Sequence, residues 1–321
     1  MLRLRATNAL AASGTPVRVG TRQPGFSLIE VLVATTILTL IVAMLGGVVS
    51  TVGASLRTAT GRSECGLSAR AIADYIQTDL KAALLPLNTS DTANLQFILN
   101  SSAIPDKYKI GDALFWQAPV ANDTTFGDIA EVGYFVKWVT DDRSKPVPIL
   151  CRFFVEPADS SSTSNYKIYQ DPAAWLNQTT VDAAAPGTVD QNYTGLFAEN
   201  VVAIWFRCLD GQGKAYAGRT FDSRNSIADS DGNVRRLPSS VQVSFVLLDS
   251  RASARLTAAS QTILVAMANT VGDEIDATAN ADGTLSPAER FVSKALSDSS
   301  LRSISGGLKS HTTTVSLVNA R

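Results

Sequence analysis

The feature that most constrains this chain is an apolar run near its start, FSLIEVLVATTILTLIVAMLGGVVSTVGASL, in which Glu30 is the only charge before Arg57. The uncharged stretch after Glu30 exceeds the ~20 residues that cross a bilayer as a helix. Residues 1–25 carry Arg3, Arg5, Arg18 and Arg22 with no acidic residue, and they end in Pro24-Gly25. That asymmetry predicts a cytoplasmic N-terminus and a body on the far side of the membrane. A lone carboxylate in a membrane helix costs roughly 2.5–3.5 kcal/mol near the bilayer centre, so it marks function by default. No lysine or arginine lies near Glu30 on the same helix face. Its partner is therefore expected from outside the chain.

Three readings of this segment compete. A secretory signal peptide would share the basic start, but the apolar run is too long for an h-region and lacks an A-x-A site at its end. A plain signal anchor is the second. The third rests on Gly25-Phe26-Ser27-Leu28-Ile29-Glu30, which resembles the prepilin signature of type IV pilins and pseudopilins. That resemblance implies a dedicated prepilin peptidase that cuts after Gly25 and methylates the new N-terminal Phe26. Glu30 then becomes the fifth residue of the mature chain, the family's position for its glutamate. A neighbouring subunit's free Phe26 amine, at the same membrane depth, would neutralise it and set the register between adjacent helices. The leader is longer than those common among type IVa pilins. The implied setting is the inner membrane, single-pass, with the body periplasmic and the subunit built into a filament. The implied partners are the peptidase, other pilin or pseudopilin subunits and inner-membrane lipid.

Beyond the apolar run, Cys65, Ala69, Ile72, Ile76, Leu80, Ala83 and Leu84 recur at helical spacing and form one apolar stripe. Arg62, Glu64, Arg70, Asp74 and Lys81 fall largely off it, and Pro86 ends the pattern. One helix from Phe26 to Leu85 is predicted. Gly46-Gly47, Gly53 and Gly61 read either as places where it bends or unwinds in a filament, or as small residues for close packing between membrane helices.

The rest reads as mostly β. Strands are predicted at Asn94–Asn100, Asp112–Gln117, Ile129–Val139, Val147–Val155, Asn200–Leu209 and Ser240–Asp249, with Val241, Val243, Phe245 and Leu247 sharing a face in the last. Loops are predicted at Asp159–Asn165 and Asp222–Asn233. Ser286-Pro-Ala-Glu289 predicts a capped helix start, with Phe291, Ala295 and Leu296 inward, and Thr312–Val318 a closing strand. The pairs IAEVGYFVKWV with VPILCRFFVEP, and NVVAIWFRCLDGQGKAY with LPSSVQVSFVLLD, resemble strands of the minor pseudopilin J subunits of type II secretion. The tail TTVSLVNAR resembles those of pilin-like Verru_Chthon cassette protein C chains. The fold class expected is α+β, a long N-terminal helix packed on an antiparallel sheet. The division expected is a leader at 1–25, a membrane half-helix at 26–50, an amphipathic half-helix at 51–86 and a β-rich body at 87–321.

Chemistry is sparse. With 321 residues and a formal net charge of -1, the chain shows no basic face for nucleic acid. Cys65, Cys151 and Cys208 have no CxxC spacing; Cys151 with Cys208 is the pair best placed in sequence to bridge, and buried free thiols are the alternative. His311 stands alone as the only histidine, and no metalloprotease, nucleophile-elbow or P-loop pattern occurs. Asp229, Asp231 and Asn233 around Gly232 form an oxygen cluster of the kind Ca²⁺ accepts, without the distal glutamate of an EF-hand loop; a metal-free turn is the commoner use of such a sequence. Trp116, Trp138 and Trp205 fall in predicted strands and Trp175 in a loop. The function expected is structural and non-catalytic, a minor filament subunit without cofactor. A filament-tip adhesin or substrate-binding module is one rival, and a signal-anchored periplasmic enzyme is another.

Overall fold

The computed structural model describes residues 25, 27–84, 96–157, 176, 178–185, 195–224, 227–228, 232, 234–235, 237–277 and 285–319. In chain order the elements are α1 (Leu28–Lys81), β1 (Phe97–Leu99), β2 (Ala113–Ala118), β3 (Ala130–Thr140), β4 (Pro146–Val155), α2 (Gln178–Ala184), β5 (Leu196–Glu199), β6 (Val201–Leu209), β7 (Phe221–Asp222), β8 (Ile227–Ala228), β9 (Val234–Arg235), β10 (Ser240–Leu248), α3 (Ser250–Ser253), α4 (Ala258–Ala277), α5 (Pro287–Ser297) and β11 (Leu308–Ser316). The fold is α+β and pilin-like, a long N-terminal helix followed by antiparallel sheets. The chain divides into two compact units, Met1–Leu56 and Arg57–Arg321.

In the first unit, the described part of α1 presents its apolar side chains to the outside, and residues 28–52 are all exposed. By length and composition this helix can cross a membrane.

In the second unit, α1 turns amphipathic. Cys65, Ala69, Ile72, Ala73, Ile76 and Leu80 are buried in one core cluster, whereas Glu64, Arg70, Asp74 and Lys81 are exposed. This is the stripe that the three- and four-residue spacing predicts. The helix packs over a six-stranded antiparallel sheet, order β5-β4-β3-β2-β1-β7, and a three-stranded one, order β11-β10-β6. In β2 every position of ALFWQA is buried, because the pleat sends alternate side chains to two cores. Leu114, Trp116 and Ala118 join the core that holds α1, while Ala113 and Phe115 join a second one. That second core, with Phe135, Cys151 and Phe153, is closed by Tyr108 and by Val181 of α2.

The three-stranded sheet carries α4 and α5 as well. Trp205 donates its Nε1–H to the Ala268 carbonyl of α4 at 3.1 Å, and its ring lies 5.6 Å from Phe291 of α5. The two sheets meet where the Asp112 amide donates to the Ile204 carbonyl at 2.8 Å. Gly111 makes that approach possible. Its φ is +79°, and a Cβ there would stand 2.1 Å from the Ile204 oxygen.

The predicted strands appear close to their predicted bounds, and the Ser286 capping box forms in both directions, the Glu289 amide to Ser286 Oγ at 3.3 Å and the Ser286 amide to Glu289 Oε2 at 2.8 Å. Several expectations are corrected. A twenty-residue helix, α4, stands where no element was predicted. The stretch 222–233, read as a loop, contains β8, which pairs antiparallel with β9 just beyond it. Strand β11 starts four residues before the predicted Thr312. Leu296 is 60% exposed rather than inward, because it lies one step around the helix from buried Ala295 and next to the helix end. In the single chain Gly46, Gly47, Gly53 and Gly61 all lie within α1; a bend in a filament and close packing between membrane helices both concern the assembled state. Of the two readings left open for the cysteines, the buried free thiols are the ones seen: all three are free and buried, with Cys151 and Cys208 in different core clusters. Burial pushes the Cys151 thiol up to about 12, so little thiolate is available for exchange.

Candidate functional site

The candidate site is the head of α1. Gly25 and Ser27 are exposed and the helix begins at Leu28; Phe26 lies outside the described residues. Among the described residues, a Cβ on Gly25 would meet nothing within 4 Å. Ser27 and Glu30 bond reciprocally. The Glu30 amide donates to Ser27 Oγ at 3.2 Å, and the Ser27 amide donates to Glu30 Oε2 at 3.4 Å. This is a capping box, two otherwise orphan donors satisfied by two side chains. Sequence reading passed over it, although Ser27-Leu28-Ile29-Glu30 spells the S-x-x-E pattern. The Glu30 carboxylate thus holds a neutral backbone amide of the same helix end, which is not the cationic partner expected from outside the chain.

The second unit contains titratable clusters that resemble a reactive site and serve packing. Asp79, on the buried side of α1, accepts from Tyr134 Oη at 2.6 Å and from Arg152 Nε and Nη2 at 2.8 and 3.2 Å. Trp116 Nε1 donates to the Asp79 carbonyl at 3.3 Å. Burial, and then the Asp79 charge, raises the Tyr134 phenol well above its ordinary range. The Arg152 guanidinium also lies 4.2 Å over the Phe154 ring. The donors of Arg152 and Tyr134 are thus committed to fixing α1 on β3 and β4.

A similar arrangement surrounds Asp112, which accepts from Asn100 Nδ2 at 2.7 Å, the Phe206 amide at 2.9 Å and Arg219 Nη2 at 2.8 Å. Arg219 also donates to Asp273 of α4 at 2.6 Å and to the Gly111 carbonyl. Burial pushes the Asp112 carboxyl upward while Arg219 pulls it down. The adjoining cavity, about 30 Å³, has room for a water or two.

His311 sits half-buried on β11 with its ring 5.1 Å from Phe245. Burial lowers its pKa, and neighbouring Arg70 adds to that. Trp116 and Trp205 are core residues and Trp138 is half-buried; Trp175 lies outside the described residues. Asp229, Asp231 and Asn233 also lie outside them. Among the described residues no group of three or more His, Cys, Asp or Glu side chains is placed to hold a metal ion.

The family model for the prokaryotic N-terminal methylation motif matches residues 20–46. The match spans the basic leader end, Gly25, Glu30 and the apolar first part of α1. The chain therefore carries a type IV pilin-like prepilin motif, the mark of a subunit that prepilin peptidase processes and that assembles with other pilin subunits. No curated protein and no solved structure matches the chain.

Proposed function

We propose that this chain is a minor, non-catalytic subunit of a type II secretion or type IV pilus-type filament. One observation carries the reading: the motif stands at the head of a helix whose apolar side chains are exposed over residues 28–52. Such a surface is costly in water and needs lipid or other helices around it. Prepilin peptidase removes Met1–Gly25 and methylates Phe26. The mature subunit waits in the inner membrane, N-terminus inward and body in the periplasm. On assembly, Glu30 takes the Phe26 amine of the neighbouring subunit. Until then the Ser27 amide keeps the carboxylate partly satisfied. A large body with internally committed charges supports a minor position over that of an enzyme.

Glu30→Ala tests this. The variant is expected to insert in the membrane and to be cleaved, yet to be missing from sheared or isolated filaments. Incorporation at the wild-type level would defeat the carboxylate–amine pairing.

A further inference from the structure

We infer that β11 is a docking edge, and that in the filament an extended segment of a different subunit adds to it as a further strand. The inference rests on the filament reading and concerns the second unit alone.

The register of β11 on β10 decides which of its backbone groups are in use. The Leu317 amide donates to the Ser239 carbonyl and the Asp249 amide to the Gly307 carbonyl, both at 3.0 Å. Between these points the pairing runs without a shift, from Leu248 with Leu308 to Ser240 with Ser316. The odd-numbered residues of β11 therefore turn both backbone groups to β10, and the even-numbered ones turn theirs away. Leu308 donates its amide to the Ser305 carbonyl. Ser310, Thr312, Thr314 and Ser316 are left, and among the described residues their amides and carbonyls have no partner. They present donors and acceptors at intervals of about 6.8 Å over about 20 Å. That spacing suits one kind of occupant, another extended chain.

The opposite edge of the same sheet is closed. On β6 the Ile204 amide donates to the Ile110 carbonyl at 3.4 Å, the Ile204 carbonyl accepts from the Asp112 amide, and the Phe206 amide donates to the Asp112 carboxylate. The end strands of the six-stranded sheet are short: β5 has four residues and a register shift against β4, and β7 has two. Short strands, bulges, prolines and charges are the usual protection of an edge. Strand β11 has nine residues, unbroken pairing, no proline and a single Lys or Arg, Lys309, with no acidic residue. The side chains at the open positions, Ser310, Thr312, Thr314 and Ser316, are exposed and uncharged. A segment of uncharged hydroxyl or β-branched residues fits beside them. A minor subunit stands among other subunits, so the segment comes from one of those.

The test is hydrogen–deuterium exchange of the full-length chain, in detergent and in filaments isolated from the native host. The amides of Ser310, Thr312, Thr314 and Ser316 are expected to exchange fast in detergent and at least about ten-fold slower in filaments. Equal rates in the two states overturn the inference. Thr314→Pro removes one outward donor without touching the β10 ladder, and it should lower the incorporated fraction about five- to ten-fold. Thr314→Val keeps the amide and should incorporate like the wild type; an equal loss in both variants overturns the inference. A benzophenone side chain placed at position 314 should link to a peptide of a different subunit. Linkage to a second copy of this chain, or to an exported protein, overturns the choice of occupant. If exchange is unchanged while Glu30→Ala still abolishes incorporation, the edge is wrong and the filament reading stands. If the wild-type chain is absent from filaments, both fall.

Discussion

Asp79 shows how much one residue of α1 does outside the membrane segment. Its carboxylate holds Tyr134 and Arg152, and its carbonyl holds Trp116. Replacing it with alanine leaves Arg152 largely buried without its counter-charge. Asp79→Ala is expected to destabilise the body by about 3 kcal/mol, read from urea unfolding of the detergent-solubilised chain. Tyr134→Phe removes one neutral donor to the same carboxylate and is expected to cost closer to 1 kcal/mol. Glu131 is the opposite case. It is fully buried opposite Gln117 on the neighbouring strand, and burial drives its pKa well above 4.5, with Gln117 pulling it back. A carboxyl whose pKa is higher folded than unfolded gives its full stabilisation below the unfolded value. That stabilisation is lost as pH rises above about 4.5 towards the folded value. Glu131→Gln should therefore flatten the fall in thermal midpoint across that range and raise the midpoint at pH 8. A variant with the same pH slope as the wild type would show that Glu131 is already ionised in the fold.

At the scale of elements, α1 changes character along its length, from a helix exposed on all sides to one with a single buried stripe. Ile76 is fully buried in that stripe. Ile76→Ala is expected to destabilise the body by about 3 kcal/mol while leaving membrane insertion unchanged, as measured by unfolding and by membrane fractionation of the same variant. The helix, β3, β4, β6, β10 and α5 were legible in the sequence because apolar runs, strict spacing or a capping box announced them. Helix α4 was not. Its buried side is made of Ser260, Leu264, Ala268, Val271 and Gly272, and its exposed side of Ala258, Ala259, Thr262, Ala266 and Thr270. Small residues on both sides leave little contrast for a periodicity to register. The Asp79 and Asp112 clusters were hidden for another reason. Asp79 lies 55 residues from Tyr134 and Asp112 lies 107 from Arg219, and these partners meet only through the sheet topology. The Ser27–Glu30 capping box, by contrast, was written in four consecutive residues.

For the molecule as a whole, the apolar helix and the well-packed body answer different needs. The body pairs its buried Asp79 and Asp112 with Arg152 and Arg219, and the first part of α1 leaves its apolar surface for lipid or neighbouring helices. The prepilin motif sits where the leader meets that helix, so processing decides what the helix presents to its neighbours. Only after cleavage would Phe26 carry a free amine to meet a carboxylate at the depth of Glu30. Mass spectrometry of the mature N-terminus, on protein purified from its native membrane, tests this most directly. The predicted result is a chain that begins at N-methylated Phe26. A chain that keeps Met1, or one cut beyond Gly47, would contradict prepilin processing and return the protein to the anchored or secreted class.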